Sequence, residues 1–262
     1  MKTALFVPCY VDQFYPHVAI AALAVLERLG LDVDVPEGAA CCGQPSANAG
    51  YAREGHSTLE HFVDVYADYE KIIVLSGSCA VHVRLHAGEI IAPEGMAETS
   101  GARVARRTTE FCAFLHDDVG VEALARLGAT FEQRVAVHVG CHGLRGLGLA
   151  KPSELQDEPF DKVRAILGAV NGIEIAELSR PDECCGFGGT FAVGEPDVST
   201  KMGRDRLRDY RAHNATAVVS PDMSCLMHLQ GLARREQFGV PMYHVAEVLA
   251  GTAGAAGARS GA

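Results

Sequence analysis

Two adjacent cysteines followed by glycine occur twice in the chain, as Cys41-Cys42-Gly43-Gln44-Pro45 and as Cys184-Cys185-Gly186-Phe187-Gly188-Gly189. Each pair is flanked by further cysteines in the same order. In the first copy 31 residues lie between Cys9 and Cys41 and 36 between Cys42 and Cys79; in the second, 42 lie between Cys141 and Cys184 and 39 between Cys185 and Cys225. Eight of the nine cysteines fall into this doubled scheme, and Cys112 is left over. Grouped soft thiolates select iron–sulfur clusters, zinc or copper(I). Structural zinc usually takes CxxC pairs, which the chain lacks, so zinc stands behind iron–sulfur. Buried free cysteines without metal are common, but they seldom repeat in register.

Composition narrows the setting in which such thiols would act. A chain of 262 residues can bury a full core without disulfide staples. The net charge of -10, with no basic block, argues against nucleic acid or an anionic membrane surface as main partner. The apolar run from Val18 to Leu26 is far short of the ~20 residues that span a bilayer, and no cleavable leader pattern is visible. The expectation is a soluble cytoplasmic protein, in which thiols stay reduced and are free for metal or redox work.

The elements that must position these thiols alternate between strand and helix. Thr3 to Val7, Leu31 to Val35 and Ile72 to Leu75 read as strands, with helices over Pro16 to Gly30, Asn48 to Glu70 and from Ser76 to His86. Residues 91 to 108 read as a loop, followed by helices over Thr109 to Val119 and Val121 to Leu127. The second half restarts with strands over Arg134 to Val139, Ile173 to Leu178 and Ala217 to Val219. Helices are expected over Phe160 to Val170, Glu195 to His213 and Val245 to Leu249. Such alternation predicts an α/β protein of two pseudo-repeated lobes, each a small parallel sheet flanked by helices. The lobes are expected at 1–130 and 131–250, with a Gly/Ala-rich disordered tail over 251–262. Strand-to-helix turns share one sheet edge, so the cysteines of each lobe should converge at the C-terminal edges of the strands, near the interface between the lobes and beside helix N-termini that favour thiolate.

The order and the motifs CCGQP, GSC, CCGFGGTF, DMSC and HVAEVL resemble the lactate-utilization protein A family. More distantly they resemble the doubled cysteine-rich CCG domain of heterodisulfide reductase and of the glycolate oxidase iron–sulfur subunit. The resemblance implies an iron–sulfur electron-transfer subunit of an NAD-independent L-lactate oxidation system, an oxidoreductase component rather than a complete enzyme, working with two partner proteins. It implies one cluster, most simply 4Fe-4S, on Cys9, Cys41, Cys42 and Cys79, and another on Cys141, Cys184, Cys185 and Cys225. The family's full motif ends in CxxC, but Ser76 and Asp222 stand at the first of those positions here. Alternatives are a zinc-bound or metal-free scaffold for partner proteins, and a thiol-disulfide reductase of the heterodisulfide kind.

Adjacent Cys41 and Cys42 can both serve one cluster only if the chain turns tightly, for which Gly43 supplies freedom. Gly186, Gly188 and Gly189 do not complete GxGxxG, because Phe191 stands where the third glycine belongs; they read as letting the backbone approach a cluster. No flavin or nicotinamide fingerprint is present. His138 and His142 bracket Cys141 as candidate ligands or proton donors, against a favoured reading in which they bond nearby backbone, since Val7 and Tyr10 occupy the corresponding turn of the first copy. His82 and His86 read as a solvated helix face and Cys112 as a buried small hydrophobe. Lys201, Arg204, Arg206, Arg208 and Arg211 make either a solvated face or a docking surface for an acidic partner.

Overall fold

The computed structural model describes residues 1–38, 41–89 and 99–254. Four strands, β1 (Thr3–Phe6), β2 (Val33–Asp34), β3 (Lys71–Val74) and β4 (Thr108–Glu110), form a first sheet, all parallel, in the order β2-β1-β3-β4. A second sheet repeats the pattern with β5 (Arg134–Val137), β6 (Glu174–Ile175), β7 (Ala217–Ser220) and β8 (Met242–His244), in the order β6-β5-β7-β8. The first half carries helices α1 (Cys9–Phe14), α2 (Pro16–Arg28), α3 (Gln44–Asn48), α4 (Ala52–Tyr66), α5 (Gly77–His86), α6 (Ser100–Arg107), α7 (Phe111–Phe114) and α8 (Val121–Leu124). The second carries α9 (Lys162–Leu167), α10 (Phe191–Gly194), α11 (Pro196–Ala212), α12 (Met223–Arg235) and α13 (Val245–Ala250).

The strands form because short apolar runs are buried on both faces, as parallel sheets require. Alternate residues then serve different cores. Leu5 and Ile73 of the first sheet join Val135, Val137, Ala217 and Val219 of the second in one shared core. Ala4, Phe6, Ile72 and Val74 face a core private to the first half, and Ala136 and Val218 one on the other side of the second sheet. Helix α2 shows how the shared core is filled: Ala21, Ala22, Val25 and Leu26 are buried at helical spacing, and α2 packs against α13. Each leucine-sized side chain so buried contributes about 1.5–3 kcal/mol. Gly30 ends this helical stretch as expected, at φ 82°.

Several elements depart from the sequence expectation. Residues 100–107, expected as loop, form α6, because Thr99 accepts a hydrogen bond from the Ala102 N–H at 2.9 Å and caps it. Thr108 and Thr109, with Glu110, then form β4 where a loop and the start of a helix were expected, so the helix begins only at Phe111. Strand β8 pairs with β7 where no element was expected. The expected tail and loop fall partly on residues 255–262 and 91–98, outside the described residues.

Candidate metal centre

In each sheet the strand order reverses between the first and third strands, and the crevice outside their carboxyl ends is where α/β sheets bind ligands. The thiols gather there. Cys9 opens α1 just past β1, and Cys79 lies in the first turn of α5 just past β3. In the second half Cys141 follows β5 and Cys225 lies in the first turn of α12. The paired cysteines arrive from the loop beyond the short second strand. Cys42, Cys79, Cys185 and Cys225 are buried, whereas Cys9, Cys41, Cys141 and Cys184 are half-buried, so both quartets have the same inner and outer members.

The tight turn after each pair is present. Gly43 and Gly186 both have φ 90°, and their N–H groups lie 3.4 Å from the Sγ of Cys41 and Cys184 respectively. A Cβ on Gly43 would stand 2.3 Å from the Gly55 carbonyl oxygen, and one on Gly186 2.5 Å from that of Ser199. Only glycine therefore allows the turn to sit against the following helix. The Phe187 N–H lies 3.5 Å from Cys185 Sγ, and Cys184 Sγ lies 3.9 Å from Cys141 Sγ. Hydrogen bonds from Cys42 and Cys9 hold Cys41 down to about 2, and those from Cys141 and Cys185 do the same for Cys184. The partners rise in turn: sharing with Cys41 pushes up Cys9 and Cys42, and sharing with Cys184 pushes up Cys141 and Cys185. One thiol in each quartet is thus held as thiolate, the form that binds metal.

All eight cysteines line one cavity of about 420 Å³, together with Tyr10, His142, Phe187, Gly188, Gly189 and others. Gly188 and Gly189 adopt φ 54° and 62°, carrying the backbone around this cavity before α10. The donor set fits iron–sulfur clusters: four thiols per half match the usual complement of a cubane, and backbone N–H groups already point at sulfur. A buried imidazole adds to the second quartet. His138, Cys185 and Cys225 offer ligand atoms within 4.8 Å of one another, and neither ring nitrogen of His138 has a hydrogen-bond partner among the described residues. That overturns the reading of His138 as bonded to nearby backbone. Burial, then the Arg206 charge, lowers its pKa to about 3, so the ring is neutral. His142 lies at the cavity with Nδ1 3.7 Å from Cys141 Sγ.

Ser76 and Asp222, the two departures from CxxC, meet each other. Ser76 Oγ donates to Asp222 Oδ2 at 3.2 Å, across the boundary between the halves. The Ser78 N–H donates to the same oxygen at 3.3 Å, while Ser224 donates to Oδ1 through its N–H at 2.9 Å and its hydroxyl at 2.5 Å. The Tyr10 hydroxyl adds a fifth donor at 3.4 Å. Asp222 thereby caps α12 and ties it to the start of α5, in a setting that satisfies a buried carboxylate. Sequence spacing marked these two positions as unusual but held no sign that they touch.

Other candidates sort by burial. His82 is buried, not solvated, on α5, which packs against α6, a helix where a loop was expected. Cys112 is fully buried in the shared core, as expected. Arg206 is fully buried, bonded to Asp209 at 3.1 Å and to the Arg180 carbonyl oxygen, and so belongs to neither a solvated nor a docking face. The other basic residues of α11 are largely occupied within the chain: Lys201 and Arg208 pair with Asp205, Arg204 with Glu236, and Arg211 lies over the Phe238 ring. Among the described residues no helix is long and apolar enough to cross a membrane.

Comparison with known proteins places this geometry. The cysteine-rich domain model CCG matches residues 3–84 and 135–230, each match spanning one quartet of cysteines. Lactate utilization protein A 1 of Bacillus mycoides (strain KBAB4) is 32% identical over 249 residues, covering 95% of this chain and 96% of that protein. Lactate utilization protein A of Bacillus subtilis (strain 168) is 34% identical over 249 residues, covering 95% and 99%. Lactate utilization protein A of Oceanobacillus iheyensis is 33% identical over 249 residues, covering 95% and 96%.

Proposed function

Since the chain belongs to the cysteine-rich CCG-domain family as a homologue of lactate utilization protein A, we propose that it is the iron–sulfur electron-transfer subunit of an NAD-independent L-lactate oxidation system. Cys9, Cys41, Cys42 and Cys79 hold one cluster, and Cys141, Cys184, Cys185 and Cys225 the other. The observation that carries this reading is that both quartets line one cavity. Bound there, the clusters supply one-electron redox chemistry.

The chain's own residues prepare the site. Gly43 and Gly186 turn the backbone so that adjacent cysteines reach one centre, and their N–H groups stabilise negative charge on sulfur. Asp222, Ser76 and Tyr10 fix the two halves relative to one another. Removing a hydride from lactate calls for a flavin or nicotinamide, for which the sequence holds no fingerprint, so partner proteins oxidise lactate and this subunit relays the electrons.

The test is anaerobic mixing of the cluster-loaded protein with L-lactate, alone and with the partner proteins of the system, followed by visible absorption. Bleaching only when the partners are present is expected. Bleaching by lactate alone would overturn the relay in favour of direct chemistry at this chain, and no bleaching in either case would overturn the lactate assignment.

A further inference from the structure

The two halves repeat the same backbone but not the same surroundings for their thiols. Phe6 and His138 each stand three residues before a cysteine, Cys9 and Cys141. Strand register makes them equivalent: Leu5 pairs with Ile73 and Val137 with Val219, and each pair is followed at the same spacing by the corresponding cysteines. The helix behind the paired cysteines gives a second correspondence. The turn glycines abut Gly55 in one half and Ser199 in the other. Counting seven and eleven residues on from these reaches Phe62 and Tyr66 in α4, and Arg206 and Tyr210 in α11.

An aromatic trio in the first half is therefore a polar trio in the second. Phe6 packs edge-on against Phe62 and Tyr66, with ring centroids 5.0 and 6.0 Å away. At the equivalent positions His138 is fully buried beside Cys185 and Cys225, and the fully buried Arg206 cation lies 4.8 Å from the centroid of the Tyr210 ring. Both nitrogens of His138, together with Nε and Nη2 of Arg206, lack hydrogen-bond partners among the described residues. Buried polar groups seldom remain unpaired, so the imidazole facing the thiols points to a partner at the metal centre itself.

We infer that the two cluster sites are built to be unequal: His138 donates an N–H hydrogen bond to the cluster of the second half, with the Arg206 cation behind it, and makes that cluster the stronger electron acceptor. Four thiols already meet a cubane's needs, so the imidazole acts as a donor rather than a replacement ligand. An N–H dipole and a fixed positive charge both favour the reduced, more negative cluster. The first half, with phenylalanine at both places, has neither. This inference rests on the iron–sulfur reading above.

The test is an anaerobic redox titration of the cluster-loaded full chain, followed by EPR, for wild type, His138→Leu and His138→Gln. Metal and sulfide content are measured first. The leucine variant is expected to lower one of the two potentials by at least tenfold in the reduced-to-oxidised ratio, about 59 mV for a one-electron couple. The other potential should stay unchanged, and the glutamine variant, which keeps an N–H, should recover part of the shift. A leucine variant that folds but loads only one cluster, with loading restored by glutamine, also supports the contact. Pulsed EPR of the wild type gives a readout that needs no variant to fold: an imidazole nitrogen coupling to one cluster, altered by 15N-histidine and retained in His142→Ala, is expected, and its absence overturns the inference. Two intact clusters with unchanged potentials in His138→Leu overturn this inference alone. Wild-type protein without iron and sulfide overturns the iron–sulfur reading and, with it, this one.

Discussion

Cys41 and Cys184 are the members of their quartets whose pKa is pulled down, each by two neighbouring thiols. Replacing one should disable its own site and spare the other. Cys184→Ala is expected to lose about half of the bound iron and sulfide, since each of the two proposed clusters would depend on four thiols. Metal analysis checks this, and an unchanged content would show that Cys184 is no ligand. Away from the thiols, Glu110 carries a different cost. Burial pushes its carboxyl from the ordinary 4.5 up to about 7, and one of its oxygens has no partner among the described residues. A carboxyl with a raised folded-state pKa contributes its full share of stability below pH 4.5 and loses it as pH rises through about 7. Wild-type stability is therefore expected to fall across that window, and Glu110→Gln should flatten the fall by on the order of 2–3 kcal/mol. Denaturant titrations at pH 4.5 and pH 8 measure it; identical pH profiles would refute it. The residue scale was partly legible in sequence. The repeated order of eight cysteines picked out the thiols that the fold gathers, but the burial of His82, His138 and Arg206 depends on helices packed from distant parts of the chain.

At the scale of elements, the turn after each cysteine pair is the feature on which the thiol geometry depends. Gly186→Ala forces a side chain into a left-handed conformation and against the Ser199 carbonyl. It is expected to cost about 1–3 kcal/mol and to weaken metal retention in the second half only. Denaturant unfolding together with iron content tests this, and full retention of both clusters would show that the turn is not needed. Long helices and apolar strands were readable because α2 keeps the 3.6 period without interruption and β3 belongs to an unbroken apolar run, Ile72 to Leu75. Strands β4 and β8 were not, because Thr108–Glu110 and Met242–His244 are three residues each and flow directly into helices. Helix α6 was missed because Arg103, Arg106 and Arg107 hide a narrow buried stripe of Gly101, Val104 and Ala105.

At the scale of the whole molecule, the halves are joined by a core that neither could cover alone. Leu26, Ile73 and Phe111 share it with Val135, Leu167 and Leu249. Unfolding should therefore be a single cooperative transition. Asp222 adds a polar tie at the same boundary, and removing it leaves five donors without their acceptor. Asp222→Ala is expected to destabilise the protein by about 2–4 kcal/mol, as for a buried charged hydrogen-bond acceptor. Denaturant unfolding would show it, and a change under about 0.5 kcal/mol, typical of surface positions, would deny the tie. The doubling of the fold was plain from the cysteine order, whereas the contact between Ser76 and Asp222 was not, since spacing within each repeat carries no information about which residues of the two repeats touch. The measurement that tests the iron–sulfur reading most directly is the iron, zinc and sulfide content of protein purified without oxygen, with EPR spectra before and after dithionite. Two 4Fe-4S clusters, about eight iron atoms and eight sulfides per chain, with signals appearing on reduction, are predicted; zinc, or no metal after anaerobic reconstitution, would contradict it.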